Sequence, residues 1–589
     1  MVISICIFKL KSNNKNISNS EDNDDEIEVY LPKDKEQKPK NELDKLIVGI
    51  DFGSSYSGFS FSIDKETIET KYEHIQPTIL VMEKETRRGY KYGNDADNFM
   101  SNGRSNNFIY FDRIKTKLDP KFGKNDQSEI LIETNFPQNY KMELKLVITE
   151  FLRLFSDDIL NNYINLKGKS LTKSDIKWII TVPAIWNDYG KQFMIDCSRE
   201  AGIYDIGIAL EPEAASLTMF KDNIIEQEYK QKGKKFMLID AGGYTIDITL
   251  NEIIDNFGNL KQLSPPSGGA FGSMNINKDL IGLVEEIFGL DKIEQLKKNK
   301  FELWKITLDS IEKKKKQIKN DGSDAEEFLI DKRFDEKDNY KYTKGTSYGN
   351  VKYDNSYIYV PRDVMKKIIL KNVNPIINHI KELFEKFKNI KIDVMVITGG
   401  FSNCNILINE IKNNFKNCPH KILSRPETSV MNGAVLYGIE PNKIVSRKAP
   451  STIGISSYHL HKKGTKCKNK IELLSGKVLC SYFDVFKKKG DDIRNNDYII
   501  KSYRPISNLQ TVASINLYYS NSLKPLYPDE PGVNHVGEFT ININETDRNL
   551  NERECTIKME FGSSITVSAK NVLSGEVITV TSNYYNRND

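Results

Sequence analysis

Two stretches of the chain carry the same chemistry. The first is Leu46-Ile47-Val48-Gly49-Ile50-Asp51-Phe52-Gly53-Ser54-Ser55-Tyr56-Ser57-Gly58. The second is Phe236-Met237-Leu238-Ile239-Asp240-Ala241-Gly242-Gly243-Tyr244-Thr245-Ile246-Asp247-Ile248. Each is an apolar run, then Asp-x-Gly with small and hydroxyl residues, then a second strand-like run. The pattern predicts a β-hairpin whose turn is lined by backbone N–H groups and hydroxyl donors, a cradle for phosphates. Glycine lets the backbone approach an anion closely, and Ser54, Ser55 and Thr245 add donors. Asp51 and Asp240, each ending a first strand, suit a hydrated Mg2+, a hard cation that keeps several waters. One such segment alone would read as an ordinary strand and turn. Two copies in matching contexts, too far apart for a solenoid, point to duplicated lobes closing on one nucleotide.

The elements around these turns alternate between strand and helix from about Lys45 to Gly438. Strands are expected at Lys177–Val182, Phe236–Ile239 and Val394–Thr398. Helices are expected at Leu144–Asn161, Tyr189–Glu200 and Met365–Phe387, the last kinked or broken at Pro375. This mixture predicts α/β lobes. After about Lys448 the texture changes to short alternating runs between turn signals: Ser514–Tyr519, Glu538–Ile543, Thr556–Phe561, Ser564–Ser568 and Glu576–Thr581. That pattern predicts an all-β domain. The expected organisation is a disordered tail over 1–44, poor in apolar residues from about residue 9 onward, a nucleotide-binding domain over 45–442, a linker over 443–450 and a β-sandwich over 451–589.

Composition narrows the function classes. The 85 basic and 81 acidic residues leave a formal net charge of +4 over 589 residues, which argues against a dedicated nucleic-acid binder. The 7 cysteines are scattered with no CxxC pair, so reduced thiols and a cytoplasmic or nuclear location are expected. No segment reaches the ~18 apolar residues of a membrane span. The apolar start, Val2 to Phe8, is too short and lacks the basic flank of a secretory leader. A monomer is the expected state.

Further segments follow in a telling order: Trp178-Ile179-Ile180-Thr181-Val182-Pro183-Ala184-Ile185-Trp186, Ala209-Leu210-Glu211-Pro212-Glu213-Ala214-Ala215-Ser216, Val396-Ile397-Thr398-Gly399-Gly400-Phe401-Ser402 and Asn432-Gly433-Ala434-Val435-Leu436-Tyr437-Gly438. With the two hairpins, this ordered set resembles the heat shock protein 70 family of the actin-like ATPase superfamily. Glu211-Pro212-Glu213-Ala214-Ala215, Ser267-Gly268-Gly269-Ala270-Phe271-Gly272-Ser273, Gly399-Gly400-Phe401 and Gly433-Ala434-Val435-Leu436-Tyr437-Gly438 followed by Arg447 resemble its heat shock 70 kDa protein 12-like branch.

The resemblance implies a two-lobed fold of ribonuclease H-like lobes, with ATP or ADP and Mg2+ as ligands. It assigns Asp51 and Asp240 to the metal and its waters. Gly53, Ser54, Ser55 and Tyr56 would cradle phosphates from one side, and Gly242, Gly243, Tyr244 and Thr245 from the other. Glu211 would orient or deprotonate the attacking water, and Asp247 is a second candidate for that proton network. Phosphoryl transfer needs charge neutralisation, so a lysine on the terminal phosphate is expected. Lys115 in Phe111-Asp112-Arg113-Ile114-Lys115-Thr116-Lys117-Leu118 is preferred and Lys117 is the rival, the local register being open. On the nucleoside side stand Glu312, Lys315 and Lys316 on a helix, on adjacent rows, and Gly400, Gly399, Ser402 and Asn403 opposite.

The chain departs from the family in three places. Tyr244 replaces the third glycine of the second phosphate loop. Asn403 replaces an arginine that would stack on adenine and lacks its delocalised cation. The acid-and-leucine linker gives way to Lys443-Ile444-Val445-Ser446-Arg447-Lys448-Ala449-Pro450. In the β-domain, Val536-Gly537-Glu538-Phe539-Thr540-Ile541 and the runs at Ile557–Phe561 and Ser564–Ala569 resemble strands of the family's substrate-binding sandwich, without its helical lid. Extended or unfolded polypeptide segments, or a protein partner, are the implied ligands there. The function expected is a slow ATPase acting as a chaperone or regulator. The alternatives are a nucleotide-dependent scaffold with little turnover, and a sugar or small-acid kinase of the same fold.

Overall fold

The computed structural model describes residues 7–9, 45–62, 74–101, 107–118, 130–137, 140–165, 170–186, 188–317, 325–329, 342–354, 357–461, 467–473, 476–494, 497–562 and 565–581. The two Asp-x-Gly segments are hairpins in two separate sheets. Leu46–Asp51 pairs antiparallel with Tyr56–Ser62, with Asp51 opposite Gly58. Lys235–Ala241 pairs antiparallel with Ile246–Ile253, with Asp240 opposite Asp247. Each first strand then has a parallel neighbour, Ile176–Val182 in one sheet and Val394–Thr398 in the other. Beyond these lie Ile206–Leu210 and His420–Ile422, also parallel. The two sheets therefore repeat one topology, which is the physical content of the repeat seen in sequence.

Both sheets are buried on their faces, so their strands are nearly continuous apolar runs. Trp178, Phe151 and Phe155 anchor the core of the first sheet, and Ile239, Ile248, Ile368 and Ile397 that of the second. A third cluster joins them through Ile47, Ala215, Leu238 and Val435. It forms where helix Ser429–Ile439 meets helix Glu211–Thr218 and strand Leu46–Asp51. Helix Arg362–Lys386 runs through Pro375 without the expected break. Its face of Ile368, Ile369, Val373, Ile376 and Ile377 is buried in the second core, and that packing holds the turn where proline withholds its N–H.

The C-terminal strands carry their own core. Along Cys555–Phe561 every second side chain is buried, and Ile557 and Met559 meet Ile455, Phe486, Ile515 and Val567. One run of strands comprises Lys470–Glu472, Val478–Lys487, Thr452–Leu460, Val512–Ser520 and Val533–Asn542. The other comprises Asp497–Pro505, Cys555–Phe561, Ile565–Asn571 and Val577–Thr581. The reading of 1–44 as disordered fails at Ile7–Lys9, a strand that sits between the two runs. Backbone pairing on both edges offsets the ordering cost that composition alone set against it. The rest of that segment lies outside the described residues.

The expected linker, 443–450, is itself structured. Ile444–Lys448 pairs with Leu260–Gln262 on one edge and with Asp492–Arg494 on the other, so it extends the second sheet. From this strand Arg447 reaches helix Glu211–Thr218. Its Nε and Nη2 donate to Glu213 Oε1 and Oε2 at 2.7 and 2.8 Å, a two-pronged pair with both side chains buried. Removing one partner strands a charge in the interior. Arg447→Ala is therefore expected to cost about 3–5 kcal/mol in urea unfolding, and replacing both partners by apolar residues much less. A loss under about 1 kcal/mol for Arg447→Ala would show that the pair does not hold the strand.

Candidate functional site

The two hairpin turns face each other across a cavity of about 560 Å3. From the first turn Asp51, Gly53, Ser54, Ser55 and Tyr56 line it, and from the second Asp240, Gly242, Gly243, Tyr244 and Thr245. The first turn is pinned from below by Thr78, whose hydroxyl donates to the Gly53 carbonyl at 2.8 Å and whose N–H donates to Ser55 O at 3.0 Å. The second turn is closed by Gly242 N–H to Thr245 O at 3.1 Å. It is also tied to the start of helix Met274–Phe288, whose Met274 N–H donates to Gly243 O at 2.8 Å. The turns approach so closely that a β-carbon on Gly243 would lie 2.6 Å from Ser55 Oγ. No side chain fits there unless Ser55 moves.

At the floor of the cavity Lys115 Nζ donates to Glu211 Oε1 at 2.5 Å, both residues being buried. Lys115 comes from the short 3-10 turn Ile114–Leu118, entered through Arg113 in the left-handed region at φ 59°. Its ammonium also lies 5.5 Å from the Trp186 ring, a favourable cation–π placement. Lys117 is exposed and does not line the cavity, because Ile114 and Leu118 pack inward on either side of the turn. Glu211 is placed by strand Ile206–Leu210, which ends where helix Glu211–Thr218 begins with Pro212 in its first turn.

Three further carboxylates crowd this pair. Thr181 donates to Asp51 Oδ1 at 3.3 Å. Asp247 does not line the cavity; it lies behind it and accepts the Ile185 N–H at 3.1 Å. Enclosure and the nearby Glu211 charge raise the Asp51 carboxyl to about 7, against the opposing effect of Lys115. The same two causes raise Asp247 to about 7, opposed by hydrogen bonds from Thr245 and Ile185. Asp240 is held well above the ordinary carboxylate range by burial and by the charges of Glu211, Asp247 and Asp51. Like charges gathered out of water make the proton-free form costly, and an incoming cation relieves that cost.

The opposite wall is built from a glycine turn and a helix. Gly399 and Gly400 follow strand Val394–Thr398 and line the cavity. Gly399 has φ 81° and a β-carbon there would lie 2.4 Å from the Ala241 carbonyl, so only glycine lets this turn sit on the second hairpin. Ser402 departs from expectation. Its hydroxyl donates to Gly399 O at 2.7 Å and closes the turn instead of lining the cavity. Asn403 lines the mouth and is exposed. From helix Phe301–Gln317, Glu312 and Lys315 line the far side, joined Nζ to Oε2 at 2.9 Å, with Asn277 donating to the same oxygen at 2.6 Å. The side chain of Lys316 lies outside the described residues. Sequence reasoning missed Thr78, Ser273, Ile276, Glu427 and Met431. Ser273 ends the quoted Ser267–Ser273 segment, so its motif was visible though its role was not; the others carry no local signal.

A family model described as Hsp70 protein matches residues 47–446. The chain belongs to the Hsp70 family. It is 24% identical over 627 aligned positions to heat shock 70 kDa protein 12A of Homo sapiens, covering 92% of both chains. It is 23% identical over 639 positions to human heat shock 70 kDa protein 12B, covering 92% of this chain and 91% of that one. Against the chaperone protein dnaK of Cyanidium caldarium identity is 24% over 419 positions, 70% of this chain and 64% of the relative. The likeness to the heat shock 70 kDa protein 12 branch, first read from motifs, thus extends over nearly the full length of both chains. The Hsp70 match also carries the two-lobed actin-like ATPase fold.

The raised Asp247 carboxyl makes a pH test possible. The folded protein keeps this proton where the unfolded chain, near 3.8, has lost it. Its contribution to stability therefore falls as pH rises from about 4 to about 7. Asp247→Asn can still accept the Ile185 N–H but does not titrate. Without nucleotide or metal, the variant should gain stability relative to wild type across that window, read by urea unfolding at several pH values. A difference that stays flat with pH would contradict the assignment.

Proposed function

We propose that the chain binds ATP with Mg2+ between the two hairpins, hydrolyses it slowly, and carries a C-terminal β-sandwich that accepts extended polypeptide. The observation that carries the reading is the Lys115–Glu211 pair at the floor of a cavity walled by two phosphate-type turns. The donor set fits the metal. Asp51 and Asp240 reach the cavity, and among the described residues no group of three His, Cys, Asp or Glu forms a protein-only cage. Two carboxylates with room for waters and phosphate oxygens suit Mg2+, which dehydrates reluctantly. When bound, it would neutralise phosphate charge and hold the phosphate chain in one orientation.

The chain's own residues then divide the work. Backbone N–H groups and hydroxyls of Ser54, Ser55 and Thr245 hold phosphate oxygens. Lys115 sets its ammonium against charge developing on the terminal phosphate. Glu211, 2.5 Å from Lys115, orients a water or takes its proton. Asp247, held near neutrality and bonded to Thr245, can receive that proton and release it. Glu312 and Lys315 border the nucleoside. Tyr244 and the exposed Asn403 would make this grip weaker than that of a loop with glycine and a stacking arginine, which is the specific ground for the scaffold reading. The likeness to heat shock 70 kDa protein 12A over 92% of both chains, C-terminal strands included, favours an Hsp70-type protein over a small-molecule kinase.

ATP with Mg2+ at millimolar concentration is expected to raise the melting temperature, since ligand at a hundred times Kd adds about 2.7 kcal/mol. Asp240→Asn should melt no lower than wild type without ligand and lose the Mg2+-dependent shift; a wild type that shows no shift rules out the binding site. In single-turnover measurements Glu211→Gln should slow hydrolysis by about a hundredfold or more, with affinity within a few-fold. Equal rates would remove Glu211 from the chemistry, and no turnover in either protein would favour the scaffold.

A further inference from the structure

The strand Ile7–Lys9 fills a gap that the C-terminal strands leave open. Thr452–Leu460 has two edges. One pairs with Val478–Lys487 along nearly its whole length. The other is shared: Thr452–Ile455 pairs with Val512–Ser520, and Tyr458 pairs parallel with Phe8. Asp497–Pro505 pairs on one edge with Cys555–Phe561 from Asp497 to Tyr503. Its other edge meets the same N-terminal strand antiparallel, Ile7 opposite Pro505, Phe8 opposite Arg504 and Lys9 opposite Tyr503. Ile7–Lys9 is thus the element that joins the two runs into one ten-stranded sheet. Without it, two strand edges face one slot, each offering backbone N–H and C=O groups. Such groups demand partners, and an open edge takes any extended chain that supplies them.

We propose that this slot is a strand-acceptor site, filled intramolecularly by Ile7–Lys9, and that an extended apolar segment of another polypeptide binds there by displacing it. The proposal gives a location to the reading that the C-terminal unit accepts extended polypeptide, and rests on it. The occupant sets the chemistry. Around it the sequence runs Ser4-Ile5-Cys6-Ile7-Phe8-Lys9-Leu10, largely apolar with β-branched Ile5 and Ile7 and aromatic Phe8, the composition of a strand that adds to a sheet edge. Its hold is short, three residues against the usual five or six of a strand. Its advantage is tethering: a segment on the same chain competes at a high effective concentration without needing intrinsic affinity. The arrangement is self-occupancy, with the site closed until a stronger strand or a higher concentration opens it.

The test uses a fluorescein-labelled peptide with the sequence of residues 4–10, its cysteine replaced by serine, read by anisotropy on the full-length protein. Deleting residues 2–9 should tighten peptide binding about tenfold or more relative to wild type. A second variant locks the slot. Phe8→Cys with Arg504→Cys, in a Cys6→Ser background, joins two register partners whose antiparallel Cα spacing of about 4.5–5.5 Å suits a disulfide. Oxidised, this variant should lose peptide binding; reduced, it should bind as wild type does. All proteins should keep the wild-type response to ATP and Mg2+, which certifies their fold. Equal binding by the deletion variant, wild type and oxidised variant would overturn the slot while leaving a polypeptide site elsewhere. No binding by any of them, and none of an unfolded client, would overturn both the slot and the reading beneath it.

Discussion

Everything near the cleft answers to one electrostatic problem. Asp240, Asp247 and Glu211 lie buried beside the half-buried Asp51, with Lys115 set among them. Asp51, Asp240 and Glu211 stand where strands end, and Asp247 faces Asp240 across the second hairpin, so the backbone of both sheets forces the cluster together. Packing cannot separate them without moving a strand. The fold meets the problem by keeping protons on carboxyls, by hydrogen bonds from Thr181, Thr245 and Ile185, and by the buried ammonium. On the proposed reading, a small hard cation would relieve that strain.

The parts legible in sequence were the local ones. Asp-x-Gly turns are written in consecutive residues, and the strands beside them are short apolar runs. The choice between Lys115 and Lys117 was not legible. A turn of three residues per revolution places positions two apart on different sides, and only the tertiary packing of Ile114 and Leu118 says which side is inside. Ser402 was misplaced for a similar reason: a hydroxyl can serve its own turn or a ligand, and spacing does not distinguish the two. The Arg447–Glu213 pair spans 234 residues, beyond any pattern a window can read. Ile7–Lys9 failed because composition measures how much apolar surface a segment can bury. It does not register an unfilled pair of strand edges elsewhere in the chain.

The departures at Tyr244 and Asn403 have unequal weight. Tyr244 lies in a turn with no residue in the left-handed region, so its backbone carries no strain from bearing a side chain. It lines the cavity beside Gly242 and Gly243. Asn403 stands exposed at the mouth, where losing a planar cation removes a stacking surface and leaves the turn below intact. On the proposed reading, the first change would alter shape at the phosphates, and the second grip on the base.

The pairing of Ile444–Lys448 with Asp492–Arg494 draws the second lobe's sheet across the border at which sequence would divide the chain. Asp492 reinforces it by bonding both Lys261 and Lys448, at 3.0 and 2.7 Å. The border in sequence is therefore not a border in cooperativity. The paired amides of Ile444–Lys448 and Asp492–Arg494 are expected to open together, and a fragment cut at 450 would carry a bare sheet edge where the intact chain has a hydrogen-bonded neighbour.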